Sequence, residues 1–226
     1  MATKKAAQSS RKVTPSSNPA RAGKKAAATK SAAPKRAGAT GGPVERAGVM
    51  ELSGGRTATI VGDDVRVGQR APDFTAQVGF WPGRDLWQEV APLAETAGQV
   101  RILAAGPSLD TATCNTEMRR FNEEAAGLGQ DIVIITLSTD LPVAQKRWCG
   151  MAGVERLRVV SDHMAVEFGE RYGALMKERR WLRRCVFVVD RKDVLVYAAY
   201  MPKLGDEPDY AAVLAAARQA LGASKR

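Results

Sequence analysis

Cys114 is the residue around which a chemical reading of this chain starts. It sits in Gly106–Phe121, GPSLDTATCNTEMRRF, where a Pro-containing turn runs into a helix and places the cysteine on the first helical turn. A free thiol ionises near pH ~8.5, so little of it is thiolate at neutrality. The first N–H groups of a helix lack backbone partners, and the positive end of its dipole lies there, so an anion is stabilised at that end. Asp110 or Thr111 is expected to cap this helix with a short polar side chain. Thr111, three residues before the cysteine, lies one turn away and is expected to bring its hydroxyl toward the sulfur. Pro107 sets the entry angle of the turn and has no N–H of its own. Such a turn holds one sulfur as a reactive thiolate, suited to nucleophilic attack or redox exchange.

Other groups offer less. His163 is the single histidine, so no cluster with metal-ligand spacing is built on it. It reads as a surface or capping residue rather than half of a Cys–His pair. The basic run Lys177–Arg184, KERRWLRR, reads largely as a solvated face, Arg179, Arg180 and Arg183 included.

The elements that must position these residues are visible as patterns. Val100–Ala105 (VRILAA) and Ile132–Leu137 (IVIITL) are short apolar runs expected as buried strands of a central sheet. CVFVVD from Cys185 and the alternating Val194–Tyr200 read as strands joined by an Arg191-Lys192-Asp193 turn. Thr57–Val61, a Gly62-Asp63-Asp64 turn and Val65–Val67 predict a β-hairpin. Arg84–Gln99 admits a strand or a short helix. Thr116–Ala126 continues the cysteine helix, with Met118, Phe121 and Ala125 on one face. Pro142 suits the first turn of a helix and Gly150 its end, so Cys149 falls near a helix C-terminus. A short strand at Val159–Val160, a helix over Met164–Leu175 and a last helix from Glu207 to Leu221 complete the reading. A strand, a turn with the functional residue and then a helix is how open α/β sheets build sites.

The spacing Pro107-x-x-x-Thr111-x-x-Cys114 resembles the peroxidatic motif of peroxiredoxins. PSLDTATC followed by MRRFNEEA, Ala71-Pro72-Asp73-Phe74, STDLPVAQKRWCG and the EPDY start of the last helix are similar to the thiol peroxidases, the bacterial atypical two-cysteine branch. The resemblance runs from about Val49 to the C-terminus. It implies an α/β, thioredoxin-like fold with a mixed central sheet between helices and an extra N-terminal hairpin. It implies that Cys114 is the peroxidatic cysteine, that Cys149 is the resolving cysteine, and that the two form a Cys114–Cys149 disulfide as both helix ends partly unwind. It assigns Thr111 and Arg184 to orienting the peroxide and Pro107 to covering the site. Arg184 stands where the family has its arginine, just before CVFVVD, and Arg183 competes by one residue. Side chains alternate along a strand, so only one of the two faces the cysteine. Cys185 then points away and reads as a buried structural thiol. Hydrogen peroxide and organic hydroperoxides are the implied substrates and thioredoxin the implied reductant, in a cytoplasmic bacterial homodimer without a metal or organic cofactor. Two departures stand out. Gly106 replaces a large apolar residue, often Phe, which is expected to loosen the floor of the pocket. SDHMA replaces the family's SDHRD.

Charge divides the chain. The formal net charge is +10, and residues 1–48 hold eleven of the 34 Lys and Arg but one of the 24 Asp and Glu, Glu45. Positions 49–226 are therefore balanced. The segment 1–48 is Ala, Lys, Ser, Pro and Gly without an aromatic residue, expected to be disordered because it has too little apolar surface to offset ordering entropy. It is no secretory signal peptide, since it lacks an apolar core, and nothing later approaches a membrane span. A solvated extension, a nucleic-acid contact through counterion release and a transit peptide remain open for it. The same cysteines also admit a thiol–disulfide oxidoreductase or redox sensor, and the tail a nucleic-acid-associated protein.

Overall fold

A computed structural model describes residues 42–52 and 54–223. The expectations of disorder and nucleic-acid contact for residues 1–41 lie outside the described residues. In chain order the elements are β1 (Glu45–Glu51), β2 (Thr57–Val61), β3 (Ala76–Phe80), β4 (Glu89–Val90), α1 (Pro92–Glu95), β5 (Val100–Ala105) and α2 (Ala112–Ala125). They continue with β6 (Ile132–Ser138), α3 (Pro142–Ala152), β7 (Arg158–Ser161), α4 (Glu167–Arg171), β8 (Leu175–Met176) and β9 (Trp181–Leu182). The last three are β10 (Cys185–Val189), β11 (Leu195–Tyr200) and α5 (Tyr210–Ala223).

A seven-stranded sheet runs β11-β10-β5-β6-β7-β3-β4. β5, β6 and β7 are parallel, while β10 pairs antiparallel with both β5 and β11. The sheet is thus mixed, and β5, wholly buried, lies inside it between β10 and β6. Alternation divides its residues between two cores. Leu103 and Ala105 join Phe74, Phe168, Tyr172 and Phe187 on one face. Ile102 and Ala104 join Met118 and Phe121 of α2, Trp148 of α3 and Val213 and Ala217 of α5 on the other. Phe121 is fully buried there. Truncating such a ring to alanine costs about 3–5 kcal/mol. One polar side chain interrupts the apolar run. Arg101 of β5 is buried and donates to the Asp190 carbonyl at 2.9 Å, with an ion pair to Asp193, so it fastens the turn between β10 and β11.

The N-terminal hairpin exists, but it is built one strand earlier than its sequence suggests. β1 pairs antiparallel with β2, whereas Val65–Val67 forms no strand. Gly62 explains the difference. Its φ is +88°, and a Cβ there would lie 1.8 Å from the Glu170 carbonyl oxygen, so the glycine lets the chain bend against α4 rather than turn a hairpin. β1 also begins at Glu45, inside the stretch read as tail. These strands form a second sheet, β1-β2-β8-β9.

Other boundaries moved for local reasons. α3 ends at Gly153, in the left-handed conformation with φ 65°, and not at Gly150. The helix expected over Met164–Leu175 shrinks to α4, because Val166 takes φ 50° just before it. Arg84–Gln99 supplies both a strand, β4, and a short helix, α1. No helix among the described residues is long and apolar enough to cross a membrane.

Candidate active site

β5 delivers the chain to Gly106, whose N–H extends the sheet by donating to the Leu137 carbonyl at 3.1 Å. A tight turn follows. The Thr111 N–H donates to the Ser108 carbonyl at 3.1 Å, and the Leu109 N–H to Asp140 Oδ2 at 2.8 Å. α2 then starts. Thr111 is its N-cap by backbone, with φ −82° and ψ 145°, and its carbonyl accepts the first helical bond from Asn115. The expected side-chain cap is not made by Thr111 or Asp110. The Thr111 hydroxyl instead donates to the Ser108 carbonyl at 2.9 Å, which stiffens the turn. Pro107, Thr111 and Thr113 line a cleft of about 190 Å³ with Trp181, Leu204 and Gly205.

Cys114 is buried on the first turn of α2, next in the chain to Thr113 of the cleft wall. The Arg184 Nη2 donates to its Sγ at 3.0 Å. Arg184 reaches it from the residue before β10, the strand paired with β5 through Cys185↔Ala105. Sheet register therefore brings together two residues 70 positions apart. The guanidinium uses four of its five N–H donors. Nε donates to Glu117 Oε2 at 2.6 Å, and Nη1 to the carbonyls of Leu204 and Asp206 at 2.7 and 3.0 Å. Burial by itself lowers the Arg184 pKa, but the neighbouring Cys114 and Glu117 outweigh it and hold it above the ordinary value. It is a permanent cation with a donor aimed at sulfur.

Glu117 is a member of the site that the sequence reading passed over. Its side chain is fully buried. Burial pushes its carboxyl up to about 7, against the pull of Arg184. The signal was present: Glu117 stands three residues after Cys114, on the helix stripe shared with Met118 and Phe121, where an acid needs a buried partner.

Gly106 does not loosen the pocket. A Cβ at this position would lie 2.7 Å from Cys114 Sγ, so the missing side chain is the space the sulfur occupies. Arg183, expected on a solvated face, is buried. It pairs with Asp64, and its guanidinium lies 3.8 Å from the centre of the Tyr200 ring. Thus Arg184 and Arg183 do separate to opposite sides, with Arg184 toward the cysteine.

The remaining thiols are unlike Cys114 in their surroundings. Cys149 is buried in α3, and desolvation pushes its thiol up to about 12. Cys185 is wholly buried among the apolar residues of the opposite core and is likewise pushed up to about 12 by burial. All three are free cysteines. His163 contacts Ser161, Trp87 and Arg180, none of them a cysteine.

A cysteine at the start of a helix leaving a mixed sheet, faced by a buried arginine, defines a redoxin-type site, and the Redoxin family pattern matches residues 66–214. The thiol peroxidase of Bacillus subtilis (strain 168) is 43% identical over 164 residues, covering 73% of this chain and 93% of that protein. The thiol peroxidase of Listeria innocua is 44% identical over 162 residues, covering 72% and 93%. Among solved structures, a peroxiredoxin-like protein from Aquifex aeolicus superposes with a TM-score of 0.67 at 30% identity, over 80% of this chain and 99% of that one. The thiol peroxidase from Chromobacterium violaceum, at 16% identity and a TM-score of 0.66, shares the fold. The chain belongs to the redoxin family and, within it, to the thiol peroxidases.

Proposed function

We propose that the chain reduces hydroperoxides with Cys114 as the peroxidatic residue. The observation that carries this reading is the 3.0 Å hydrogen bond from the Arg184 guanidinium to Cys114 Sγ at the start of α2. The thiolate is the nucleophilic form of cysteine, and the guanidinium N–H is aimed at the sulfur that would carry it. The thiolate attacks the terminal peroxide oxygen. The S–O bond forms, the O–O bond breaks, and the proton of the hydroperoxide leaves with the departing alcohol or water. Arg184 is placed to stabilise charge spreading onto the oxygens as that bond breaks. Thr111 and Pro107 form the wall of the cleft through which the peroxide enters. Cys114 is left as a sulfenate, which takes a proton from solvent to become the sulfenic acid.

Cys149 is the resolving residue in this reading. Its thiol gives up a proton as the sulfur attacks the sulfenic sulfur, an S–S bond replaces the S–O bond, and the departing hydroxide takes up a proton and leaves as water. With its thiol held near 12 by burial, Cys149 is a poor nucleophile where it lies, so this step follows its release from the core. A thioredoxin-type dithiol then reduces the disulfide by exchange. A cytoplasmic location goes with such a transient disulfide. Exposed Leu141, Val143 and Met151, in and just before α3, support a homodimer, which light scattering checks. The charge excess of residues 1–48 supports contact with a polyanion, checked by salt-dependent DNA binding with and without residues 1–41.

The test is mass spectrometry of reduced protein after one equivalent of an alkyl hydroperoxide. A Cys114–Cys149 link, together with loss of peroxide consumption in Cys114→Ser, is the expected result. A Cys114 that stays a thiol, or a bridge that uses Cys185, overturns it.

A further inference from the structure

We propose that the hydrogen bond between the Trp148 indole and the Asn115 side chain is a latch on the two cysteine-bearing helices, and that it sets how fast Cys149 reaches oxidised Cys114. This rests on the reading of Cys114 and Cys149 as peroxidatic and resolving residues.

Asn115 directly follows Cys114 on α2, and Trp148 directly precedes Cys149 on α3. The Trp148 Nε1–H donates to Asn115 Oδ1 at 3.1 Å. One hydrogen bond therefore joins the chain neighbours of both sulfurs. The same Oδ1 accepts from Arg119 Nε at 3.1 Å, and Arg119 Nη1 donates onward to the Ala152 carbonyl at 3.3 Å. One turn later, Asn122 Oδ1 accepts the N–H groups of Glu155 and Arg156, at 3.3 and 3.2 Å. Positions 115, 119 and 122 lie on one strip of α2, and apart from the Arg119–Asn115 bond within the helix, these bonds link it to α3 or the segment just after it. Those at 119 and 122 hold the end of α3. The one at 115 holds the turn that carries Cys149.

Both sulfurs are buried, Cys114 against Arg184 and Cys149 within the apolar core beside Trp148. A disulfide between them requires local opening, and its rate is the open fraction multiplied by the chemical step. The Asn115–Trp148 bond exists in the closed form and is lost when either helix end unwinds. It therefore lowers the open fraction and slows resolution. Slower resolution leaves the sulfenic acid available to a second hydroperoxide, which adds one oxygen to the sulfur to give a sulfinic acid and leaves as an alcohol.

The experiment uses the full chain as wild type, Asn115→Ala, Trp148→Phe and the double variant. Each reduced protein is mixed with tert-butyl hydroperoxide and quenched over time. Mass spectrometry counts the sulfenic acid, trapped with dimedone, the disulfide and the sulfinic acid. Sulfenic acid is expected to form at the wild-type rate throughout. Disulfide formation is expected to be roughly three- to ten-fold faster in each single variant, the range set by one hydrogen bond. The double variant gains nothing beyond the faster single one, because both changes remove the same bond. The sulfinic acid formed in excess peroxide falls in step. Equal or slower disulfide formation in the variants, or additive gains in the double, overturns the latch while leaving the cysteine assignment intact. Absence of a Cys114–Cys149 disulfide in wild type overturns both.

Discussion

Replacing Arg184 by lysine keeps a positive charge beside Cys114 and removes the fork that distributes it. The guanidinium makes four bonds, to Glu117 Oε2 at 2.6 Å, the Leu204 carbonyl at 2.7 Å, the Asp206 carbonyl at 3.0 Å and Cys114 Sγ at 3.0 Å. These partners diverge around a planar group. A lysine ammonium is one point on a flexible stem and serves the nearest acid, Glu117, rather than all four. Losing a charge-assisted bond to sulfur costs about 1.5–3 kcal/mol, which is roughly a 10- to 100-fold fall in kcat/KM for the peroxide. The stranded carbonyls of Leu204 and Asp206 add about 1–3 kcal/mol of lost fold stability, a drop of several degrees in Tm. Stopped-flow tryptophan emission gives the second-order rate with an alkyl hydroperoxide, and thermal unfolding gives Tm. A rate within about three-fold of wild type, alongside a lowered Tm, would show that the guanidinium serves the fold and not the sulfur.

Gly106→Ala is expected to cut the same rate about ten-fold while moving Tm little, because a Cβ 2.7 Å from Cys114 Sγ turns the sulfur away from Arg184; a wild-type rate sinks that account. Asp64 is desolvated, but Arg46 and Arg183 outweigh this and hold its carboxyl below the usual range. Its stabilising contribution is therefore present above pH 3.8 and lost as pH falls further, so Asp64→Asn should lower Tm at pH 7 and matter less toward pH 3 in acid-unfolding curves. Burial pushes Asp162 up to about 7, against the pull of the Gly169 and Phe168 N–H groups. The folded state then binds its proton more tightly than the unfolded chain, and stability falls as pH rises from 3.8 to about 7. Asp162→Asn should flatten that decline in Tm measured between pH ~5 and ~8, and an unchanged slope would refute the assignment.

The central strands β5, β6 and β10 were legible because each is fully buried and therefore reads as an almost unbroken apolar run. VRILAA and CVFVVD lie side by side in the sheet, as β5 and β10. Parity along the chain separated Arg184 from Arg183, since adjacent residues at a strand's edge face opposite ways. What parity does not give is the partner. Arg183 is buried because Asp64, 119 positions earlier, meets it. Gly62-Asp63-Asp64 imitated a hairpin turn because a positive φ serves a turn and a close backbone approach equally well. Thr111 was one of two residues read as the cap and is the N-cap by backbone, yet its hydroxyl found the Ser108 carbonyl instead of capping, a competition between local acceptors that composition does not rank. Glu117 was missed because an acid on a helix reads as solvated until the residue facing it is known.

The position of Arg184 also orders events during synthesis. Cys114 emerges from the ribosome 70 residues ahead of the arginine that faces its sulfur. β5, the strand that leads to the cysteine, lies between β6 and β10, and β10 follows α2, α3 and α4 in the chain. Contacts across such a separation form late. A nascent chain therefore presents the cysteine alone and gains its cationic partner when the C-terminal half of the sheet closes. Completion of the fold is what brings the guanidinium to the sulfur, and a polypeptide stalled before residue 184 carries the sulfur without it.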